Sequence, residues 1–326
     1  MRIGIAGAGT IIPEFLNAAK LIEEYEVVAI CGRISSQKRM QDLAEERGIS
    51  KIYLNYEEML SDHEIDAVYI AVPNHLHFEY AKKAIANHKN CILEKPFTSN
   101  YEQAKQLVQQ AKQEGVFLFE AITNQYYPNF YKMKEHLGNL GEIKIAQLNY
   151  TQYSKRYDLF KEGTVLPVFD PKMSGGALMD LNVYNIHILV GLFGEPELVS
   201  YHANVERGID TSGILLLDYR GFKCVCIAAK DCGAPVSMSI QGDKGYLHSE
   251  APTNVMNEVE FRTNDGVSTK YALNEVSERF YYELVTFEQM CQKKDVIFCA
   301  ERLEQSLIVM KILDEARRQA GIEILQ

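Results

Sequence analysis

Through roughly the first third of the chain, short apolar runs of strand length alternate with stretches of helical period. The runs are rich in β-branched residues and lie at 2–6, 26–31, 67–72, 90–94 and 116–120, with a shorter one at 51–54. Between them, apolar residues recur every three or four positions, most clearly over 100–114, a stretch followed by Gly115. This order predicts repeated βαβ units, and hence a parallel sheet with helices on both faces.

The rhythm changes after about residue 125, where strands separated by turn signals replace the helices. These strands are predicted at 144–153, 198–205, 212–219, 222–229 and 236–241, and two helices near 277–293 and 300–320 close the chain. The pattern predicts two domains. A parallel α/β domain covers 1–122, and an α+β domain with a large open, mostly antiparallel sheet covers 123–326, its C-terminal helix packing back on the first domain.

The first predicted strand runs directly into Gly7 and Gly9. A strand that ends in Gly-x-Gly and feeds a helix lets the backbone approach a pyrophosphate, whose charge then lies at the helix N-terminus. Ordinary tight turns also need glycine, but here the motif lies on the first strand of a βαβ unit, which is the context that dinucleotide binding requires. We therefore expect a Rossmann dinucleotide-binding domain whose cofactor contacts in this loop are Gly7, Gly9, Thr10, Ile11 and Ile12.

The residues after the second predicted strand favour NADP over NAD. An NAD site commonly has an acidic residue there to accept from the ribose 2′-hydroxyl, whereas this chain has Gly32, Arg33, Ser35 and Ser36. Arginine and serine suit a 2′-phosphate through charge-assisted hydrogen bonds. The nearby pair 38–39, Lys-Arg, is typical of a solvated helix face. NADP is the expected cofactor, with NAD as the alternative.

The composition of the chain argues against several classes of partner and ligand. The chain has 34 basic and 44 acidic residues, a net charge of −10, which opposes binding to nucleic acid. No apolar run approaches the length of about 18 residues that a membrane span needs, and the chain starts with a core strand, so we expect a cytoplasmic protein. The seven cysteines are expected to be reduced; Cys224 and Cys226 alternate with apolar residues on one strand, so no metal site is predicted.

Five motifs in order resemble one enzyme family. They are Gly7-Ala8-Gly9, DAVYIAVPNHLH at 66–77, Glu94-Lys95-Pro96, Glu120-Ala121 ahead of Pro128, and SGGALMDLNVY at 174–184. With them, essentially the whole chain resembles the glucose-fructose oxidoreductase and inositol dehydrogenase family, GFO/IDH/MocA. The resemblance implies a nicotinamide-dependent enzyme that oxidises or reduces a secondary alcohol or carbonyl of a sugar, cyclitol or related polyol. It also implies cofactor contacts at Val72, Pro73, Asn74, His77, Glu94, Lys95 and Glu120.

Three positions depart from the family's usual pattern. Ile12 stands where a third small residue is usual, and Gln125 stands where many members have arginine. Tyr184 stands where the inositol dehydrogenase branch has histidine, a difference that resembles the branch containing glucose-fructose oxidoreductase and dimeric dihydrodiol dehydrogenase.

The chemistry of proton transfer supports Lys95 and Tyr184 as catalytic residues. Hydride transfer from a carbinol requires removal of the hydroxyl proton, and a phenol accepts it near neutral pH only if a cation stabilises the phenolate. Asp180 lies about one helical turn before Tyr184 and is expected to orient the substrate or Lys95. His187, three residues beyond Tyr184, is either a further catalytic residue or a buried helix histidine.

Two other functions fit parts of the pattern. A dinucleotide-binding sensor that does not turn over would explain the glycine motif, but it would be free to lose Lys95, Asp180 and Tyr184. A polyol dehydrogenase with histidine as its base is disfavoured by the tyrosine at 184. The C-terminal strands present more apolar faces than two helices cover, so we also expect a homo-oligomer, a dimer in the first instance.

Overall fold

The computed structural model describes residues 1–325 and divides the chain into two compact units. The first unit comprises residues 1–121 and 278–307. The second comprises residues 122–277 and the segment from Ile308 onward.

Six parallel strands form the sheet of the first unit. They are β1 (Arg2–Ala6), β2 (Glu26–Cys31), β3 (Lys51–Tyr53), β4 (Ala67–Ile70), β5 (Asn90–Glu94) and β6 (Leu118–Ala121). Their order across the sheet is β3-β2-β1-β4-β5-β6, and all neighbouring strands run parallel. The order reverses between β1 and β4, and ligands of such sheets bind at the carboxyl ends of the strands beside that point.

Helices connect these strands. They are α1 (Ile12–Ala19), α2 (Gln37–Arg47), α3 (Tyr56–Ser61), α4 (His77–Ala86) and α5 (Tyr101–Glu114). The predicted helix 100–114 begins at Tyr101 because Asn100 is its N-cap: the Asn100 side chain accepts a hydrogen bond from the Gln103 N–H at 2.8 Å. Gly115 ends it in the left-handed conformation, as its position after the apolar pattern predicts.

Eight strands form the sheet of the second unit. They are β7 (Ile143–Thr151), β8 (Leu198–Glu206), β9 (Ile209–Tyr219), β10 (Phe222–Ala229), β11 (Ser237–Gly242), β12 (Gly245–Ser249), β13 (Val259–Thr263) and β14 (Ser268–Tyr271). Their order is β14-β13-β12-β11-β7-β10-β9-β8, antiparallel except for the parallel pair β7 and β10. The predicted α/β fold class, with a second, mostly antiparallel sheet, is confirmed.

The sequence pattern missed β12, β13 and β14. These strands are short, and β14 is mostly exposed and polar, so no run of apolar residues marks it. Their pairing comes from hydrogen bonds to neighbouring strands, which a local pattern does not reveal.

The helices of the second unit include α6 (Pro128–His136), α7 (Lys155–Lys161) and α8 (Val183–Phe193). Near the end of the chain, α9 (Tyr281–Lys293) belongs to the first unit, and the division between the units falls inside α10 (Val296–Gln319).

One helical stretch, Pro171–Phe193, is long and apolar enough to cross a membrane, contrary to the expectation that no apolar run approaches that length. Its single acidic residue, Asp180, interrupts the run in the sequence without ending the helix. Of its most apolar window, 83% is buried inside the protein, which is the behaviour of a core helix.

Candidate active site

The loop after β1 requires glycine at position 7 for a steric reason. Gly7 has φ +125°, and a Cβ atom there would lie 2.3 Å from the Ala71 carbonyl oxygen. Gly9 differs, because a Cβ atom there would meet only the same Ala71 oxygen, at 4.0 Å. Packing within the chain therefore requires Gly7 but leaves room at Gly9, the exposed side of the loop.

The start of α1 offers donors for an anion. Ile11 is the N-cap and makes no side-chain capping bond, and the N–H groups of Thr10 and Ile11 have no acceptor among residues 1–325. Ile12, the unusual third residue of the motif, is the first residue of α1 and is fully buried in the core. The exposed Gly9 and these two N–H groups fit the pyrophosphate of a dinucleotide.

A basic segment follows β2. Gly32 packs against α2, since a Cβ atom there would lie 2.9 Å from the Met40 sulfur, and Arg33 is exposed. The Arg39 guanidinium donates from Nη2 to the Gly9 carbonyl oxygen at 3.0 Å. Arg39 therefore lies against the glycine loop, where the sequence pattern indicated only a solvated helix face. The signal missed was the recurrence of arginine near the start of α2, six residues after Arg33.

His77 links the loops that follow β4 and β5. Its Nδ1 atom lies 2.9 Å from the Pro96 carbonyl oxygen and its Nε2 atom 3.0 Å from the Val72 carbonyl oxygen. The ring is 1% exposed, and burial lowers the pKa of His77 to about 4, against the opposing effect of the two carbonyl groups. These contacts support a role in positioning the two loops; contact of His77 with the cofactor stays a prediction, as for Pro73 and Asn74.

Glu94 fixes the backbone at Lys95. Its Oε1 atom accepts a hydrogen bond from the Tyr69 hydroxyl at 2.6 Å, and its Oε2 atom accepts from the Lys95 N–H at 3.2 Å. Burial raises the pKa of both Glu94 and Tyr69. Lys95 itself is half-buried and precedes a cis peptide bond to Pro96. Glu120, on the neighbouring strand β6, is 4% exposed.

In the second unit, the paired glycines before the candidate catalytic residues are explained by crowding. A Cβ atom on Gly175 would lie 2.6 Å from the Pro167 carbonyl oxygen. Gly176 has φ +105°, and a Cβ atom there would lie 2.1 Å from Asp210 Oδ1. Glycine is therefore required at 175 by the backbone of residues 167–168 and at 176 by the side chain of Asp210.

Asp210 caps the helix that follows these glycines. Its Oδ2 atom accepts from the Leu178 N–H at 2.6 Å and from the Tyr201 hydroxyl at 2.8 Å. The side chain is fully buried, and burial raises the pKa of Asp210 to about 6. Asp210 was missed from the sequence, because it lies 32 residues from the helix that it caps.

A π-helical turn carries Asp180. The turn covers Leu178–Asn182, with the Val183 N–H donating to the Leu178 carbonyl oxygen, and continues directly into α8, which carries Tyr184. Such turns are rare and frequently occur at functional sites. The Asp180 side chain is 32% exposed and pairs with the ammonium group of Lys230, whereas Tyr184 is 5% exposed.

Side-chain amides hold the first turns of α8. Asn124 donates to the Tyr184 carbonyl oxygen at 2.8 Å, and Gln125 donates to the His187 carbonyl oxygen. Gln125, which stands where many family members have arginine, thus serves the backbone of the helix. The His187 side chain is 1% exposed in the middle of α8, an environment typical of a packed helix histidine. Its catalytic role stays a prediction.

Cys224 and Cys226 are both buried in β10, and burial raises the pKa of each thiol. Among residues 1–325, no group of three or more His, Cys, Asp or Glu side chains is arranged to hold a metal ion.

Comparison with known proteins connects these features. A family model described as an oxidoreductase family with an NAD-binding Rossmann fold matches residues 1–122, and the GFO/IDH/MocA C-terminal domain matches residues 130–248. The scyllo-inositol 2-dehydrogenase (NADP(+)) IolU of Bacillus subtilis is 34% identical over 323 residues, which cover 99% of this chain and 98% of the relative. The chain belongs to the GFO/IDH/MocA family.

Two further known proteins match almost the whole length of this chain. Trans-1,2-dihydrobenzene-1,2-diol dehydrogenase of Mus musculus is 27% identical over 353 residues, covering 100% of this chain and 98% of the relative. The structure of KijD10, a 3-ketoreductase from Actinomadura kijaniata, has a TM-score of 0.82 at 23% identity and covers 98% of this chain and 97% of its own; it shows a shared fold. The predicted family and enzyme class are confirmed, and the protein is an NAD(P)-dependent oxidoreductase.

Proposed function

We propose that this protein transfers hydride between NADP and a secondary alcohol or carbonyl group of a sugar, cyclitol or related polyol. The observation that carries the proposal is that Lys95, Asp180 and Tyr184 all occur within the family's motifs. The relatives support the substrate class, since one is named as an inositol dehydrogenase and another as a diol dehydrogenase.

The residues of the chain divide the chemistry between them. The nicotinamide ring, when bound, supplies or accepts the hydride. We assign the proton to the Tyr184 hydroxyl, with the Lys95 ammonium stabilising the phenolate form. Acid–base catalysis of this kind contributes about two to four decades in rate. Asp180, held by Lys230, orients the substrate through its carboxylate.

A panel of polyols tests this function. The protein is mixed with NADP and, separately, with scyllo-inositol, myo-inositol, D-glucose and D-xylose, while nicotinamide absorbance is recorded. We expect reduction of NADP by at least one of them. A protein that binds NADPH but turns over no polyol, and whose NADPH affinity changes when a polyol is added, would instead be a dinucleotide-dependent sensor.

The basic segment after β2 carries a preference for NADP. Arg33 is exposed, and the Arg39 guanidinium donates to the Gly9 carbonyl oxygen, which supports binding of a 2′-phosphate by both side chains through charge-assisted hydrogen bonds. Arg33→Ala and Arg39→Ala are each expected to weaken NADP binding about tenfold, with little effect on NAD, as loss of one charge-assisted hydrogen bond predicts. Lys38→Ala is the matched control, because Lys38 pairs with Asp42 on the exposed face of α2. Fluorescence titration measures all four proteins, and tighter binding of NAD than NADP by the wild type would contradict the proposal.

We also propose that the open face of the second sheet forms a homodimer. Ile214 and Leu216 of β9 are 44% and 42% exposed, and they lie beside Ile227 and Val225 of β10 on the same face. A contiguous apolar face of this kind is commonly buried by a second copy. Light scattering at micromolar concentration is expected to give a dimer mass. Leu216→Glu should shift it to monomer, whereas Val267→Glu, at an exposed position after β13, should not; a monomeric wild type would refute the proposal.

The net charge and the cysteines indicate the class of partner and the cellular compartment. The net charge of −10 argues against nucleic acid as a partner and leaves a small polyol as the expected one. All seven cysteines are free thiols, and five of them are buried, a state that fits the reducing cytoplasm that we propose as the compartment.

A further inference from the structure

Lys230 is a buried lysine whose backbone is held on both sides. It follows β10, its N–H donates to the Thr211 carbonyl oxygen at 2.8 Å, and its carbonyl oxygen accepts from the Ser154 N–H at 2.9 Å. The side chain is 7% exposed. A lysine with a fixed backbone and a buried stem has little freedom to move its ammonium group elsewhere.

The Lys230 ammonium group has donors to spare. It donates to Asp180 Oδ2, the one acceptor for it among residues 1–325, although an ammonium group has three N–H bonds. The neighbouring carboxylate of Asp231 is engaged elsewhere, since its Oδ2 atom accepts from the Thr211 hydroxyl at 2.7 Å and the Ser212 hydroxyl at 2.8 Å. Burying a charged donor without acceptors is costly, so a site of this kind is suited to an oxygen-bearing ligand.

We propose that Lys230 binds substrate together with Asp180. The ammonium group donates to one substrate oxygen, and the Asp180 carboxylate accepts from the neighbouring hydroxyl group, so the pair recognises two adjacent oxygens of a neutral polyol. The carboxylate side of the pair disfavours an anionic substrate at the same place. This inference rests on the proposed function, and it adds a residue that selects vicinal diols and hydroxyketones within the polyol class.

A purely structural role for the ion pair between Lys230 and Asp180 predicts a different result from a role in substrate recognition. In that case the loss of Lys230 would lower thermal stability and would affect all substrates equally. A role in recognition predicts a loss that depends on the second hydroxyl group, because a buried donor discriminates strongly against an analogue that lacks its acceptor.

The experiment compares Lys230→Met, Lys230→Gln and Lys230→Arg with the wild type. The substrates are the polyol of highest kcat/KM in the panel and its analogue with the adjacent hydroxyl replaced by hydrogen. Lys223→Met is the matched control, since Lys223 lies on β10 and is 67% exposed at its side chain. Unfolding temperature and NADPH titration establish that each variant is folded and binds cofactor.

We expect Lys230→Met to raise KM for the polyol at least about tenfold and KM for the deoxy analogue less than about threefold, with kcat changing less than KM. Lys230→Gln should lie between Lys230→Met and Lys230→Arg, the variant that keeps the charge. Lys230→Arg decides the question if the other two do not fold, because the different geometry of its guanidinium group should still raise the polyol KM by about threefold or more.

Two outcomes distinguish a failure of the Lys230 proposal from a failure of the proposed oxidoreductase function. If the wild type oxidises a polyol and the folded variants keep its KM, or lose both substrates equally, Lys230 does not recognise the diol and the proposed function stands. If the wild type oxidises no polyol, the proposed function fails and this inference fails with it.

Discussion

Tyr184→Phe is expected to lower kcat at least about a hundredfold, the lower end of the effect of losing an acid–base group. The change removes only the hydroxyl that we assign to proton transfer and keeps the ring, which is 5% exposed and lies 6.1 Å from the Tyr150 ring. Unfolding temperature should therefore change little. Stopped-flow or steady-state absorbance of the nicotinamide measures kcat, and fluorescence titration should give an unchanged affinity for NADPH.

Lys95→Met should have a similar effect on kcat, because it removes the charge that we propose to stabilise the phenolate. Residues that act as one unit are strongly non-additive, so the double variant should be little slower than the slower single variant. Tyr246→Phe, at a half-buried tyrosine of β12, is the control for loss of a phenolic hydroxyl. If Tyr184→Phe keeps wild-type turnover while His187→Asn abolishes it, the histidine carries the proton and the assignment to the tyrosine branch is wrong.

The fold was predictable where a local pattern determines an element. The strands β1, β2, β5 and β10 match the apolar runs at their predicted bounds, because a buried strand needs a continuous or alternating apolar run. The first-unit sheet followed from the alternation of these runs with helices. The short strands near residue 260 did not, since their stability comes from neighbouring strands.

The candidate site was predictable only where a motif is continuous in sequence. Gly7, Gly9, Lys95, Asp180 and Tyr184 lie in such motifs. The residues that hold them come from distant parts of the chain. Arg39 lies 30 residues from the glycine it contacts, Asp210 lies 32 residues from the N–H that it caps, and Lys230 lies 50 residues from Asp180.

The π-helical turn shows the same limit at shorter range. The spacing of Asp180 and Tyr184 predicts one helical turn, but nothing in LMDLN distinguishes a π turn from an α turn. The wider turn arises where Gly176 lets the backbone pass beside Asp210 and Asp210 caps Leu178. The geometry of the turn that carries Asp180 therefore depends on a buried carboxylate from a distant strand, which is a tertiary contact.

Gly9→Val is expected to weaken NADP binding at least about a hundredfold while leaving the protein folded, because the loss of two hydrogen bonds to a charged phosphate costs about 3 kcal/mol. The structure singles out Gly9 rather than Gly7 for this test. A Cβ atom at Gly9 finds its nearest neighbour at 4.0 Å, so the free protein has space for a side chain, whereas a Cβ atom at Gly7 would lie 2.3 Å from a carbonyl oxygen. Gly7→Val would therefore lower stability whether or not a cofactor binds there.

The measurement combines NADPH fluorescence titration with thermal unfolding. Gly138→Val is the matched control, because a Cβ atom at Gly138 meets nothing within 4 Å and the residue lies far from the glycine loop in sequence. We expect all three proteins to unfold at similar temperatures, and NADPH to raise the unfolding temperature of the wild type and Gly138→Val alone. Since the side chain at position 9 projects from the exposed side of the loop, its only expected target is the pyrophosphate. Wild-type affinity in a folded Gly9→Val variant would therefore show that the dinucleotide does not lie on this loop.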